Sequence, residues 1–241
     1  MKYTTLLLLA ISLLSISTFS QPDTTNTHKT GWIIKSGERN FTFKALNSAF
    51  NNAGVAQLNN RVFGYSIGIA SRSITKQTYG TATLSYLSAN NHEMQPQTLS
   101  SSIDIMELAL NYHFALNNSP KLLVIPYVGY GVGYGSMLII NNDQNATFAQ
   151  SVTNLTQNDG LKKRYNMEHL YAFANIGLGL ERGIRIPCYQ LFIGFSSGYQ
   201  LTTKRGWGYP DLPSIRYGGL EWRISVRVEP NLRTKYDQLK P

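Results

Sequence analysis

Along Leu220-Glu-Trp-Arg-Ile-Ser-Val-Arg-Val228 every second residue is apolar. Leu220, Trp222, Ile224, Val226 and Val228 share one face, while Glu221, Arg223, Ser225 and Arg227 share the other. A period of two is that of a β-strand with one apolar and one polar side; a helix would scatter the polar side chains around its surface. The same alternation sets Phe63, Tyr65, Ile67 and Ile69 against Gly64, Ser66 and Gly68. It sets Ala82, Leu84 and Tyr86 against Thr81, Thr83 and Ser85, and Met106 to Phe114 against Glu107, Ala109, Asn111 and His113. Around Leu191, Ile193 and Phe195 it holds except at Phe192, which interrupts the polar face. Between His169 and Glu181, Tyr171 and Phe173 oppose Leu170, Ile176, Leu178 and Leu180, so a bulge or a mixed face is expected there.

The stretch Gly129-Tyr-Gly-Val-Gly-Tyr-Gly135 admits three readings. Its Val132-Gly-Tyr-Gly135 is most of a potassium-channel filter, and its glycines suggest a phosphate-binding turn. A filter needs flanking helices that the sequence lacks, and a dinucleotide cradle needs a different glycine spacing and a following helix. Read with period two, Val128, Tyr130, Val132 and Tyr134 form one face and the four glycines the other. The glycines are then a whole face of a strand, leaving room for large side chains from opposite strands.

Eight strands follow, at about 31–43, 61–73, 77–88, 101–114, 121–140, 167–182, 188–203 and 217–229, the first being the least regular. A short helix fits Leu46 to Asn52. The connections alternate: long at Lys44 to Asn60, short at Ile74 to Lys76, long at Ala89 to Ser100, short at Asn117 to Pro120. They continue long at Asn141 to Asn166, short at Gly183 to Pro187, and long at Lys204 to Arg216. An even number of strands with short turns at one end and longer loops at the other is the rhythm of a closed antiparallel membrane barrel.

Composition narrows the setting. The chain of 241 residues carries a net charge of +9, with 15 Tyr, 20 Gly and 15% charged residues. Met1-Lys2-Tyr3, an apolar run from Leu6 to Ile16 and the small residues Thr18 and Ser20 read as an export signal over residues 1–20. That run is too short for a spanning helix, and no second long apolar run follows. A helical membrane protein is thereby excluded. The domain reading is a signal peptide at 1–20, a barrel at 21–230 and a polar tail at 231–241. Cys188 is the only cysteine, so no internal disulfide forms. Nucleic acid is not an expected partner of an exported chain without a binding module.

On these strands, residues 31–229 resemble the small eight-stranded outer-membrane barrels of the OmpA/OmpX type, with Pro126-Tyr-Val-Gly-Tyr-Gly-Val-Gly-Tyr134 similar to a strand that recurs in that group. The resemblance implies an all-β, closed transmembrane barrel in a bacterial outer membrane, placed there by the insertion machinery. Such barrels commonly finish on an aromatic residue; here Glu229-Pro230 and a polar segment follow Val228.

Candidate chemistry is sparse. Glu107, Glu221, Arg223 and Arg227 lie on the polar face. Lipid-facing Arg at the bilayer midplane would cost about 2–4 kcal/mol, so an interior network joining Glu107 or Glu221 to Arg223 or Arg227 is expected; the alternative is a position at the watery rim. Lys162, Lys163, Arg164, Lys204 and Arg205 fall in outer loops, where they are candidates for contact with lipid phosphates, including those of lipopolysaccharide. Gly64-Tyr-Ser-Ile-Gly68 matches G-x-S-x-G, but a nucleophile elbow needs a strand-to-helix turn and this lies within a strand. His28, His92, His113 and His169 carry no lipase-like or metal-binding motif. The expectation is a non-enzymatic barrel without cofactor or metal, with a structural or surface-interaction role. The alternatives are a narrow diffusion or ligand channel, a lipid A-modifying enzyme, and a soluble lipocalin-like carrier.

Overall fold

A computed structural model describes residues 28–52, 57–73, 78–90, 99–117, 122–141, 164–203 and 217–230. The strands are β1 (His28–Asn40), β2 (Arg61–Ser73), β3 (Thr78–Asn90), β4 (Leu99–Phe114), β5 (Leu123–Asn141), β6 (Arg164–Arg185), β7 (Tyr189–Thr202) and β8 (Gly219–Pro230). Helix α1 (Lys44–Asn52) lies between β1 and β2. Each strand pairs with the next, and β1 closes on β8, giving a barrel in the order β1 to β8. All pairings are antiparallel, so no edge is left across the middle of the wall. This satisfies the backbone polar groups without water, as a bilayer demands.

The outer surface is the apolar face of the sequence pattern. Trp32 and Tyr130 are each 65% exposed, and Ile34, Ile67, Val132, Ile176, Leu178, Ile193, Ile224 and Val226 are exposed with them. An apolar surface continuous around a barrel is covered by lipid, not water. The fold is thus a transmembrane β-barrel, and a lipocalin-like inversion, with apolar side chains kept inside, is not what it shows.

Several strand limits differ from the sequence reading. The first strand lies three residues earlier, at His28–Asn40, because the chain turns at Phe41 to enter α1. β6 is longer than expected and is regular: its ladder to β5 runs unbroken from Leu123↔Glu181 to Ile140↔Arg164, with no bulge. Tyr171 and Phe173 simply point inward and are buried. The rhythm of connections is also weaker, since 91–98 on the long side and 115–122 on the short side are equal in length. The connections 41–60, 142–163 and 203–218 still share one end, called here the loop end; the opposite end is the turn end.

The glycine row explains β6. Gly131 lies opposite Phe173 and Gly133 opposite Tyr171, and a Cβ on either glycine would strike that partner's ring. Gly135 faces Tyr217, whose hydroxyl lies 2.8 Å from where its Cβ would be. The glycines therefore make room mainly for the adjacent strands, above all β6, and at Gly135 for Tyr217, which leads into β8 across the lumen.

The loop end is closed by the chain itself. Phe41, Phe43, Leu46, Phe50 and Leu58 are buried with Ile103, Ile105, Met137 and Met167. Leu46 and Phe50, one helical turn apart, face this core, while Lys44, Ser48 and Asn51 are exposed. The Asn47 side chain holds the returning segment, donating to the Leu58 carbonyl and accepting from its amide, both at 2.9 Å. At the turn end a second apolar cluster gathers Ala70, Tyr79, Leu123, Ile125 and Phe192.

Candidate functional site: the charged lumen

Between the two apolar plugs the lumen holds two layers of ion pairs. The first centres on Arg39, which is 1% exposed. Its Nη1 and Nη2 donate to Glu107 Oε1 and Oε2 at 2.7 and 2.8 Å. Its Nε and Nη2 donate to Glu221 Oε2 at 3.1 and 2.9 Å. The planar guanidinium serves both carboxylates through two of its edges, a geometry an ammonium cannot reproduce.

Further donors saturate Glu107: Tyr171 Oη at 2.7 Å and Gln200 Nε2 at 2.6 Å both reach Oε1. Glu221 also receives Arg223 Nη2 at 3.0 Å, and Arg223 Nη1 donates to Ser66 Oγ at 2.8 Å. Ser66 then meets Ser85 at 2.8 Å. The chain of contacts draws side chains from β1, β2, β3, β4, β6, β7 and β8. Strand β5 presents Gly133 opposite Glu107, and Tyr171 fills that space, while Tyr127 of β5 donates a hydrogen bond to Glu221 from nearer the turn end. The two cations, Arg39 and Arg223, balance the two carboxylates formally.

The second layer lies nearer the turn end. Arg227 Nη2 donates to Glu181 Oε2 at 2.6 Å, and Tyr79 Oη donates to Glu181 Oε1 at 2.7 Å. Arg227 also pairs with Glu229. Its guanidinium sits over the Phe192 ring at 3.9 Å and the Tyr79 ring at 4.4 Å. Tyr79 stacks in turn on His113, centroids 4.2 Å apart. Phe192, an interruption of the polar face in the sequence, thus gives Arg227 a cation–π partner.

The four expected lumenal residues all face inward. Glu221 and Arg223 are brought together; Glu107 meets neither Arg223 nor Arg227, and Arg227 belongs to the other layer. Arg39, Glu181 and Glu229 were missed. Arg39 and Glu229 lie near the ends of β1 and β8, inside the expected strands, and Glu181 lies in the segment expected to be bulged or mixed. Lys35 was also missed. Its side chain lines two cavities, each about 20 Å³, one against each layer. Such a space has room for about one water molecule.

Of the loop cations, Lys162, Lys163, Lys204 and Arg205 lie outside the described residues. Arg164 is the first residue of β6, not a loop residue. Ser66 points into the lumen within β2, with no helix behind it, and is no nucleophile elbow. Cys188 is free and exposed in the β6–β7 turn. Among the described residues no group of three or more His, Cys, Asp or Glu side chains converges as a metal ion would need. The expected export signal at 1–20 and the tail at 231–241 lie outside the described residues.

No protein-family model matches the chain, and no curated protein matches its sequence. Solved structures similar to it include Ail, the attachment invasion locus protein of Yersinia pestis. It is 9% identical, with a TM-score of 0.41, over 85% of this chain and 97% of that one. The N-terminal β-barrel domain of Pseudomonas aeruginosa OprF is 20% identical, with a TM-score of 0.34, over 83% of this chain and 96% of that one. Neisserial surface protein A is 11% identical, with a TM-score of 0.34, over 84% and 95%.

Proposed function

We propose that the protein is a non-enzymatic barrel of the bacterial outer membrane, a closed structural element that meets its surroundings through its loop end and its lipid-facing wall. The observation that carries this reading is the filled lumen. An apolar cap, two ion-pair layers and an apolar floor lie in series along the axis. Among the described residues, the two cavities between these layers each have room for about one water, too little for a hydrated solute. A barrel of eight strands is only just wide enough for its own side chains, and here they occupy it. In this reading residues 1–20 direct export, the envelope's insertion machinery places the barrel, and Lys162, Lys163, Arg164, Lys204 and Arg205 contact anionic lipid phosphates. No step calls for a cofactor.

The test is conductance. The mature chain, refolded in detergent and shown to change gel mobility on boiling, is added to planar bilayers beside a known porin. The expected trace lacks porin-sized steps. Steady steps from the folded fraction would overturn the reading in favour of a channel.

A further inference from the structure

The lipid-facing wall is not uniform. On β3 the outward residues that follow Thr78 are Gly80 and Ala82, whereas the neighbouring strands present Ile69, Leu110 and Tyr112, with Tyr130 beyond. The result is an apolar groove of about 520 Å³ in the outer surface. Its volume is that of an ordinary ligand site, yet it opens toward the membrane.

Gly80 is the informative residue. At most other described glycines an added Cβ would run into backbone or a ring; at Gly80 it meets nothing nearer than the Asn111 carbonyl at 3.9 Å. Its backbone is not in the left-handed region either. The protein itself therefore gives no steric reason for glycine here. Tyr112, directly across the ladder, does not lie over the gap; its ring packs edge-on against Phe114 at 4.6 Å. The absent side chain leaves open a depression that is continuous with the lipid-covered wall and ends toward the turn end at Ser71.

We infer that this groove is a binding site for an acyl chain of a phospholipid in the leaflet at the turn end. The occupant follows from continuity: the walls are apolar and belong to the belt that lipid covers, with Ser71 lining the groove beside Gly80. A chain held there is restrained by walls on two sides, where a chain elsewhere on the belt meets a convex surface. It should exchange more slowly than the rest of the annulus. The inference rests on the membrane reading above.

The experiment uses the full mature chain refolded in vesicles of phosphatidylethanolamine and phosphatidylglycerol, with a trace of phosphatidylglycerol spin-labelled near the end of one acyl chain. The motionally restricted fraction and its exchange rate are read by electron spin resonance. Gly80→Leu and Ala82→Leu fill the groove from inside; Ser197→Leu adds similar bulk on β7, across the barrel. Boiling-dependent gel mobility confirms that each variant compared is folded. The expected result is loss of a slowly exchanging component in either folded filling variant and its retention in Ser197→Leu. Equal spectra for the wild type and a folded filling variant, or an equal loss in Ser197→Leu, would overturn the groove as a lipid site. So would a cross-linked dimer that Gly80→Leu abolishes while the restricted fraction stays unchanged. Absence of any restricted lipid, even in the wild type, would instead sink the membrane reading itself.

Discussion

Arg39 shows how one residue can join strands remote in sequence. It faces Glu107 and Glu221, each nearly buried, and is the only guanidinium within hydrogen-bonding reach of Glu107 among the described residues. Removing one partner of a buried ion pair leaves an uncompensated charge and costs about 3–5 kcal/mol. Arg39→Met is accordingly expected to destabilise the barrel by about that much, read as a lower urea midpoint in detergent. Arg39→Lys recovers little, since one ammonium cannot serve three carboxylate oxygens in that plane. Adding Glu107→Gln to Arg39→Met should return part of the loss; a strictly additive further loss would mean that charge burial is not what Arg39 relieves. Glu221 and Arg223 were legible because residues two apart on a strand share a face. Arg39 was not, because its partners are supplied by barrel closure and by β4, which no local pattern reveals.

At the scale of elements, alternation reported the lipid face faithfully and the lumenal face poorly. Outside, every strand meets the same solvent, so its residues obey one rule. Inside, each residue answers to a particular neighbour: Tyr171 and Phe173 are large because Gly133 and Gly131 are absent in bulk, and Phe192 is apolar because Arg227 lies upon it. β6 therefore looked irregular in sequence while being regular in space. The helix was legible, although its role was not. α1 packs Leu46 and Phe50 into the mouth of the barrel, above the Arg39 layer. Truncating a buried Phe costs about 3–5 kcal/mol, more than a nine-residue helix can restore alone. Phe50→Ser should release α1 locally, so that trypsin cuts after Lys44 faster than in the wild type. Conductance should stay unchanged, because the Arg39 and Arg227 layers still block the lumen. Unaltered cleavage at Lys44 would show that the helix is held by something other than its apolar face.

Over the whole molecule, function depends on closure. A sheet of eight strands with this outward face would expose two unpaired edges to lipid unless β1 and β8 met, and unsatisfied backbone groups in hydrocarbon cost several kcal/mol each. The register of that seam places Ile34 opposite Val226, both on the lipid side. Paired residues of an antiparallel ladder have Cα atoms about 4.5–5.5 Å apart, within the span a disulfide bridges. With Cys188→Ser removing the native thiol, Ile34→Cys combined with Val226→Cys should oxidise to an intramolecular cross-link in the folded barrel. That species, boiled without reductant, carries a loop tying the two ends of the chain and migrates apart from its reduced form. Moving the second cysteine one residue to the lumenal face, as Arg227→Cys, places the thiols on opposite sides of the wall and should abolish the bridge. A link that forms equally well in both pairs, or only between molecules, would mean that the β1–β8 seam is not the closed ladder on which the filled lumen and the lipid-facing wall both depend.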